Sequence, residues 1–156
     1  MNTTQLRDFI KEVNFFAGLN PQDIDDLITI CQIQNFVEND VLIQEGDESN
    51  KDLYIIFSGS VVANISTQKE DSANINVMER GQIFGELSLI SDIKRSASII
   101  ATSSGTVIRI SKQNFEKICQ QNPHLGMITY KNIAHVLSDR IRNTNKMLKH
   151  TILWGW

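Results

Sequence analysis

The spacing of hydrophobic residues changes twice along this chain, and this change limits its fold more than any other feature. Apolar residues recur every three or four positions up to about residue 31, every second position from about 32 to 111, and every three or four positions afterwards. The outer spacings predict amphipathic helices, and the middle spacing predicts short strands. At 156 residues the chain has the length of one domain. We therefore expect a single helix–sheet–helix domain over residues 1–156.

The amino-terminal region predicts two helices. The first covers about Thr4 to Phe16 and is ended by Gly18. The second begins at Asn20-Pro21, because asparagine caps free helical N–H groups and proline fits the first helical position. We expect the apolar face of this helix to extend to Cys31, so that the helices occupy residues 1–31.

Residues 32–111 contain several short β-rich segments, separated by turn sequences such as Glu45-Gly46-Asp47 and the polar tip from Ser66 to Ala73. The segments are Val41–Ile43, Leu53–Phe57, Ser60–Ile65, Asn74–Met78, Ala97–Ala101 and Thr106–Ile110. About seven or eight strands with this punctuation predict an antiparallel sandwich or barrel of the jelly-roll kind. The fold is therefore expected to be mainly β with flanking helices.

The region after Asn122-Pro123 predicts a helix of about 25 residues within the helical segment 112–150. Its apolar residues follow steps of three and four, which is a heptad seam: Met127, Tyr130, Ala134, Leu137, Ile141, Thr144 and Leu148. A parallel homodimer through residues 124–150 is one expectation, and packing of the seam on the chain's own sheets is the other. Residues 151–156 form a tail whose Trp154-Gly155-Trp156 sequence leaves its role open.

Composition excludes several functional classes. With 15 basic and 18 acidic residues, the net charge of −3 argues against direct nucleic-acid binding by the whole chain. No apolar run approaches the roughly 20 residues that span a bilayer, and the charged amino terminus is unlike a signal peptide. Cys31 and Cys119 form no metal or redox motif and are expected to be buried thiols in the cytoplasm. We expect neither a metal site nor an enzyme, since no side chains have ligand or nucleophile–base spacing.

One segment, residues 81–98, interrupts the strand pattern with chemically distinctive residues. Gly85 lets backbone atoms approach closely, Glu86 opens a short helical patch, and Arg95 follows nine residues later. Backbone N–H groups and an arginine that converge in this way can bind an anion. A glutamate beside them is an acceptor for a sugar hydroxyl. Together these residues predict a site for a phosphorylated ribose.

The same segment, from Phe84-Gly85-Glu86-Leu87 through Arg95-Ser96-Ala97, resembles the phosphate-binding cassette of cyclic nucleotide-binding domains. This family includes the modules of catabolite activator protein and of protein kinase A regulatory subunits, and the resemblance covers nearly the whole chain. Two positions depart from the family pattern. Lys94 stands where proline is frequent, and the loop from Asp47 to Asp52 is one residue longer than usual.

The resemblance implies an eight-stranded β-roll with the ligand inside it. Glu86 would accept a hydrogen bond from the ribose 2′-OH, and Arg95 would pair with the cyclic phosphate. The long helix would cover the base near Arg140 and Ile141, although Arg140 could instead be a solvated cation. Backbone N–H groups would hold the phosphate oxygens near Gly85, Leu87, Ser88, Ser96 and Ala97.

The function implied is that of a regulatory module without a cofactor, which binds a cyclic purine nucleotide and signals through its carboxy-terminal helix to an effector protein. Cyclic AMP is favoured over cyclic GMP, although Ser96 is compatible with either base and a cyclic dinucleotide stays open. No membrane association is expected. One alternative is the ligand-binding part of a DNA-binding regulator that lacks its helix-turn-helix domain. The other is a degenerate structural module that only dimerises.

Overall fold

The structure is a computed structural model that describes residues 1–65 and 73–154, with the side chains of 1–65 and 77–149. Residues 66–72 of the predicted polar tip lie outside the described residues, as do Gly155, Trp156 and the side chain of Trp154. The prediction that residues 1–156 form one domain stays a prediction.

Eight strands in the described residues form two antiparallel four-stranded sheets. They are β1 (Cys31–Phe36), β2 (Val41–Ile43), β3 (Leu53–Ser58), β4 (Val61–Ile65), β5 (Ala73–Met78), β6 (Ile83–Phe84), β7 (Ser98–Ala101) and β8 (Gly105–Ile110). The first sheet has the order β1-β8-β3-β6, and the second has the order β2-β7-β4-β5. The prediction of an eight-stranded, mainly β fold with flanking helices is confirmed.

Strand β3 shows why the chain folds in layers. Its residues Leu53 and Ile55 point to a core shared with the helices, whereas Tyr54 and Ile56 point to a second core between the two sheets. Side chains alternate between the two faces of a strand, so an uninterrupted apolar run is buried on both sides. The first sheet is therefore the middle layer, with helices on one face and the second sheet on the other.

Five α-helices and one 3-10 helix surround the sheets in the described residues. They are α1 (Thr3–Glu12), the 3-10 helix (Asn14–Phe16), α2 (Pro21–Thr29), α3 (Glu86–Ile90), α4 (Lys112–Gln121) and α5 (Pro123–Trp154). Asn2 caps α1 and Asn20 caps α2, each through a reciprocal pair of hydrogen bonds with the residue three positions later.

Two predicted helix boundaries are wrong. Helix α1 ends at Glu12, because Val13 is extended (φ −78°, ψ 112°) and a separate 3-10 turn follows. Phe15 and Phe16 of this turn are both buried in the core that the helices share with the first sheet. Cys31 begins β1 rather than ending α2, since it pairs with Ile110 of β8.

Helix α5 is longer than predicted, with 32 residues, and it includes residues 151–154 of the predicted tail. Leu125, Thr129 and Ile133 face the helical core. Of the predicted seam, Met127, Ile141 and Leu148 are 55–60% exposed in the single chain. Leu137, in contrast, packs partly against the core. In the part of the chain that the structure describes, no helix combines the length and apolarity needed to cross a membrane.

Candidate functional site

A cavity of about 440 Å³ lies between the second sheet, the segment around α3 and helix α5. All eight residues predicted from the sequence line it: Gly85, Glu86, Leu87, Ser88, Arg95, Ser96, Ala97 and Arg140. The structure thus brings together residues that are up to 55 positions apart in the sequence. A volume in this range is typical of small-molecule sites.

The loop-to-helix turn at the floor of this cavity depends on Gly85. Its φ of 82° is a left-handed conformation that other residues rarely adopt. A β-carbon there would lie 2.6 Å from the carbonyl oxygen of Asp52 and 2.7 Å from Nη1 of Arg95. Glycine is therefore the residue that allows β6, α3 and Arg95 to meet.

Arg95 is a buried cation, with 4% of its surface exposed. Its Nη1 donates to the carbonyl of Gly85 at 3.0 Å. Its Nη2 donates to Oδ1 of Asn50 and to the carbonyl of Asp52, both at 2.8 Å. These acceptors are uncharged, and the buried Nε has no hydrogen-bond partner within the described residues. The guanidinium is therefore held in place, while its Nε–H is left for a further acceptor.

Burial also affects the protonation equilibrium of this side chain. Desolvation lowers the pKa of the Arg95 guanidinium from its ordinary value, because a low-dielectric surrounding disfavours the charged form. Arginine nevertheless remains protonated at neutral pH. The unused donor on Arg95 thus belongs to a positive charge, which favours an anionic acceptor.

Glu86 and Arg140 form an ion pair across the cavity. The Glu86 side chain is 2% exposed, and Oε1 accepts a hydrogen bond from Nη1 of Arg140. Nη2 of Arg140 lies 3.4 Å from the carbonyl oxygen of Ile83. Among the described residues, the charged ones that line the cavity are Glu86, Arg95 and Arg140, and their formal charges sum to +1. This balance suits a ligand with one negative charge.

Sequence reasoning missed several residues that line the cavity on α5. Asn143, Thr144 and Met147 follow Arg140 at intervals of three, four and seven, and this spacing puts all of them on one face of a helix. That spacing was the signal available in the sequence. Ile141, which was also expected near the base, does not line the cavity and is 60% exposed. Consecutive residues point about 100° apart around a helix, so Ile141 turns away when Arg140 faces inward.

The opposite wall of the cavity is apolar. It consists of Ile43, Ala63, Met78, Phe84 and Ile99 from five different strands. The ring of Phe84 stacks on Tyr54 with centroids 5.0 Å apart, which fixes its orientation. One side of the cavity can therefore cover a flat apolar ring, while the other offers cations and a carboxylate.

The amino-acid sequence is similar to a known protein family and to several of its members. The model of the cyclic nucleotide-binding domain matches residues 33–122. The cAMP-dependent protein kinase regulatory subunit of Hypocrea atroviridis is 32% identical over 71% of this chain and 23% of its own length. Human cGMP-dependent protein kinase 2 is 28% identical over 91% of this chain and 18% of its own length. The chain therefore spans less than a quarter of these relatives.

A solved structure shares the fold. The catabolite activator protein of Thermus thermophilus superposes with a TM-score of 0.76 at 23% identity, and the match covers 86% of this chain and 61% of that one. At this identity the similarity concerns the architecture of the sheets and helices.

Proposed function

The chain belongs to the family of cyclic nucleotide-binding domains, a family of regulatory modules, and we propose that it binds cyclic AMP in the cavity under α5. The phosphate would lie beside Arg95 and Gly85, and the ribose 2′-OH would donate to the Glu86 carboxylate. Leu87, Ser88, Ser96 and Ala97 line the same end and would offer backbone N–H groups to the phosphate oxygens.

The observation that carries this proposal is the unpaired Nε of Arg95. A buried donor without a partner costs about 1–3 kcal/mol, and more when the group is charged. An exocyclic phosphate oxygen would supply the missing acceptor as well as the opposite charge. Ligand binding would thus remove the free-energy cost of a buried donor that has no acceptor in the chain without ligand.

The choice of cyclic AMP over cyclic GMP is the finer part of the proposal. Cyclic AMP and cyclic GMP share the same phosphate and ribose, so contacts with these groups do not discriminate between them. The apolar wall would cover either purine, and the hydroxyl of Ser96 suits both. The relatives include a cAMP-dependent and a cGMP-dependent kinase. We favour cyclic AMP, since among the described residues Arg95 and Arg140 are the cations that line the cavity, and no further cation is there to attract the guanine carbonyl.

We further propose that α5 is the output element. Arg140, Asn143, Thr144 and Met147 are the contacts that this helix contributes to the cavity. A ligand that touches both the sheets and α5 favours the conformation in which they are close together, because its binding free energy differs between the docked and undocked states. The helix would pass this change to an effector protein.

The assembly and setting proposed are those of a cytoplasmic regulator without catalytic activity. Met127, Ile141 and Leu148 are exposed on α5 and would be covered by the same helix of a second copy, in a parallel homodimer. Cys31 and Cys119 are free thiols, which suits a reducing compartment.

Calorimetric titration with cyclic AMP, cyclic GMP and non-cyclic 5′-AMP tests the proposal. We expect cyclic AMP to bind more tightly than cyclic GMP, and 5′-AMP to bind weakly because its phosphate carries a second charge and an open geometry. At 100 times its dissociation constant, the ligand should raise the free energy of unfolding by about 2.7 kcal/mol. Absence of both heat and thermal stabilisation with millimolar cyclic nucleotide would overturn the assignment.

A further inference from the structure

Asp52 forms hydrogen bonds in two directions from its position just before β3. Its backbone carbonyl accepts from Nη2 of Arg95 at 2.8 Å. Its carboxylate accepts from Nε of Arg109 at 2.5 Å and from the backbone N–H of Lys112 at 3.3 Å. Lys112 is the first residue of α4. One residue thus joins the guanidinium that lines the cavity to the beginning of a helix outside it.

The surroundings of Asp52 restrict its movement. The residue is 7% exposed, and β3 and β8 pair beside it with Tyr54 opposite Arg109. A carboxylate at the first turn of a helix is also favoured by the positive end of the helix dipole. The side-chain hydrogen bond to Asp52 raises the pKa of the Arg109 guanidinium, because it favours the charged form of the arginine.

Asn50 fixes the same region from the other side. Its Oδ1 accepts from Nη2 of Arg95 at 2.8 Å and from the backbone N–H of Asp52 at 3.0 Å. Its Nδ2 donates to the hydroxyl of Tyr54 at 2.8 Å. The backbone of Asp52 therefore cannot shift without disturbing the contacts of Arg95.

We propose that Asp52 is a positioning residue that couples the orientation of the Arg95 guanidinium to the start of α4. The inference rests on the proposed function, since it treats Arg95 as the phosphate contact. Both sets of contacts belong to one residue, so a displacement of the Asp52 backbone by Arg95 would also displace the carboxylate that holds Arg109 and Lys112. Coupling between two such sites is reciprocal, and loss of the carboxylate contacts must also affect phosphate binding.

The test compares Asp52→Ala with Asp92→Ala. Asp92 is a matched control, because it also pairs with Lys112 (Nζ to Oδ1, 2.7 Å) but its side chain is 91% exposed. The probes are cyclic AMP and the Rp and Sp diastereomers of its phosphorothioate. The two diastereomers place sulfur at different exocyclic positions, so the ratio of their affinities reports the orientation of Arg95.

We expect Asp52→Ala to weaken cyclic AMP binding about 10-fold, which corresponds to one net hydrogen bond, and to shift the diastereomer ratio at least about threefold. Asp92→Ala should leave the affinity for cyclic AMP and the ratio of the two diastereomer affinities within about twofold of the values for the natural sequence, because exposed ion pairs contribute little. Hydrogen exchange at the first turns of α4 should slow on adding cyclic AMP in the natural sequence and respond less in Asp52→Ala.

Three further outcomes bear on the proposed role of Asp52. If Asp52→Ala lowers only the melting temperature and leaves affinity, ratio and exchange response unchanged, Asp52 is merely structural and the proposal is wrong. If Asp52→Ala does not fold, Arg109→Gln answers the same question, because the 40%-exposed Arg109 contacts Asp52 but not Arg95. Failure of the natural sequence to bind cyclic AMP would instead contradict the proposed function.

Discussion

The guanidinium of Arg140, on helix α5, donates a hydrogen bond to the buried carboxylate of Glu86 at the beginning of α3. The two side chains come from segments 54 positions apart, and one of them is almost completely removed from solvent. A carboxylate has about four acceptor positions, so Glu86 can retain Arg140 while it accepts from a hydroxyl. The pair therefore links α5 to the predicted ribose position.

This pair leads to a prediction for Arg140→Ala. Loss of the cation should weaken cyclic AMP binding roughly 3- to 30-fold, because Glu86 loses its partner and the base loses a covering side chain. The free energy of unfolding without ligand should fall as well, since the 2%-exposed Glu86 carboxylate would be left buried without its cation. Calorimetry measures the affinity, and Arg142→Ala is the control because Arg142 is 69% exposed and pairs with the exposed Asp139.

The same reasoning predicts that ligand slows hydrogen exchange across residues 135–148 of α5. The effect should be reduced in Arg140→Ala. Unchanged affinity together with unchanged exchange would show that α5 is not the cover of the ligand.

For Arg95→Ala we expect a loss of affinity of at least roughly 100-fold. Hydrogen bonds to charged groups contribute about 1.5–3 kcal/mol, and the phosphate would lose its buried cation as well. Glu86→Ala should reduce the affinity for cyclic AMP by a smaller factor than Arg95→Ala does. Lys94→Ala is the control, since this neighbouring cation is 68% exposed and pairs with Glu48. Tight binding by Arg95→Ala would show that another group holds the phosphate.

The exposed face of α5 predicts a dimer. Ile141 and Leu148 are 60% and 55% exposed, and a parallel copy of the helix would bury them. Light scattering should give twice 17.7 kDa for the natural sequence and 17.7 kDa for the double variant Ile141→Glu/Leu148→Glu. Lys146→Glu, at an outer heptad position, should remain dimeric. A 17.7 kDa species for the natural sequence, with and without ligand, would contradict the prediction.

The buried Asp23 predicts a pH dependence of stability. Burial alone would raise the pKa of Asp23, but hydrogen bonds from the backbone of Asn20, from Asn122 and from His124 outweigh it and lower the pKa. The stabilisation is therefore complete above the unfolded value of about 3.9 and is lost as the pH falls through the folded value.

The free energies of unfolding of the natural sequence and of Asp23→Asn, measured in urea, should accordingly differ at pH 6. This difference should shrink as the pH falls below about 4. Asp8→Asn, an exposed carboxylate on α1, serves as the control and should show no such convergence. A difference between Asp23→Asn and the natural sequence that is equal at pH 6 and pH 3 would contradict the linkage.

Thr129 on α5 is fully buried, and its hydroxyl has no hydrogen-bond partner within the described residues. Thr129→Val keeps the shape and removes the unsatisfied group, so the free energy of unfolding should stay equal or rise by about 1 kcal/mol. Thr129→Ser keeps the hydroxyl and removes a methyl group, which should cost about 1 kcal/mol. Chemical denaturation measures both, and a clear loss in Thr129→Val would reveal an acceptor for this hydroxyl.

The sequence by itself determined the helix–sheet–helix order, most of the strands and the residues of the cavity floor. These features depend on local patterns: short apolar segments such as Leu53–Phe57 between turn sequences, and the glycine and arginine types around Gly85 and Arg95. Two strands were missed. Strand β1 (Cys31–Phe36) is exposed or half-buried over most of its length and shows no regular alternation of burial, and β6 has two residues, Ile83 and Phe84, which are too few to show a period.

Only the tertiary structure decided which face of α5 covers the cavity and what holds Arg95 in place. A heptad seam identifies apolar residues, but Thr144 of that seam lines the cavity whereas Ile141 faces solvent. Likewise, no spacing in the sequence indicates that Asp52 and Asn50 meet Arg95, more than 40 positions away. Such contacts depend on how strands and helices pack in three dimensions, and local periodicity carries no information about that arrangement.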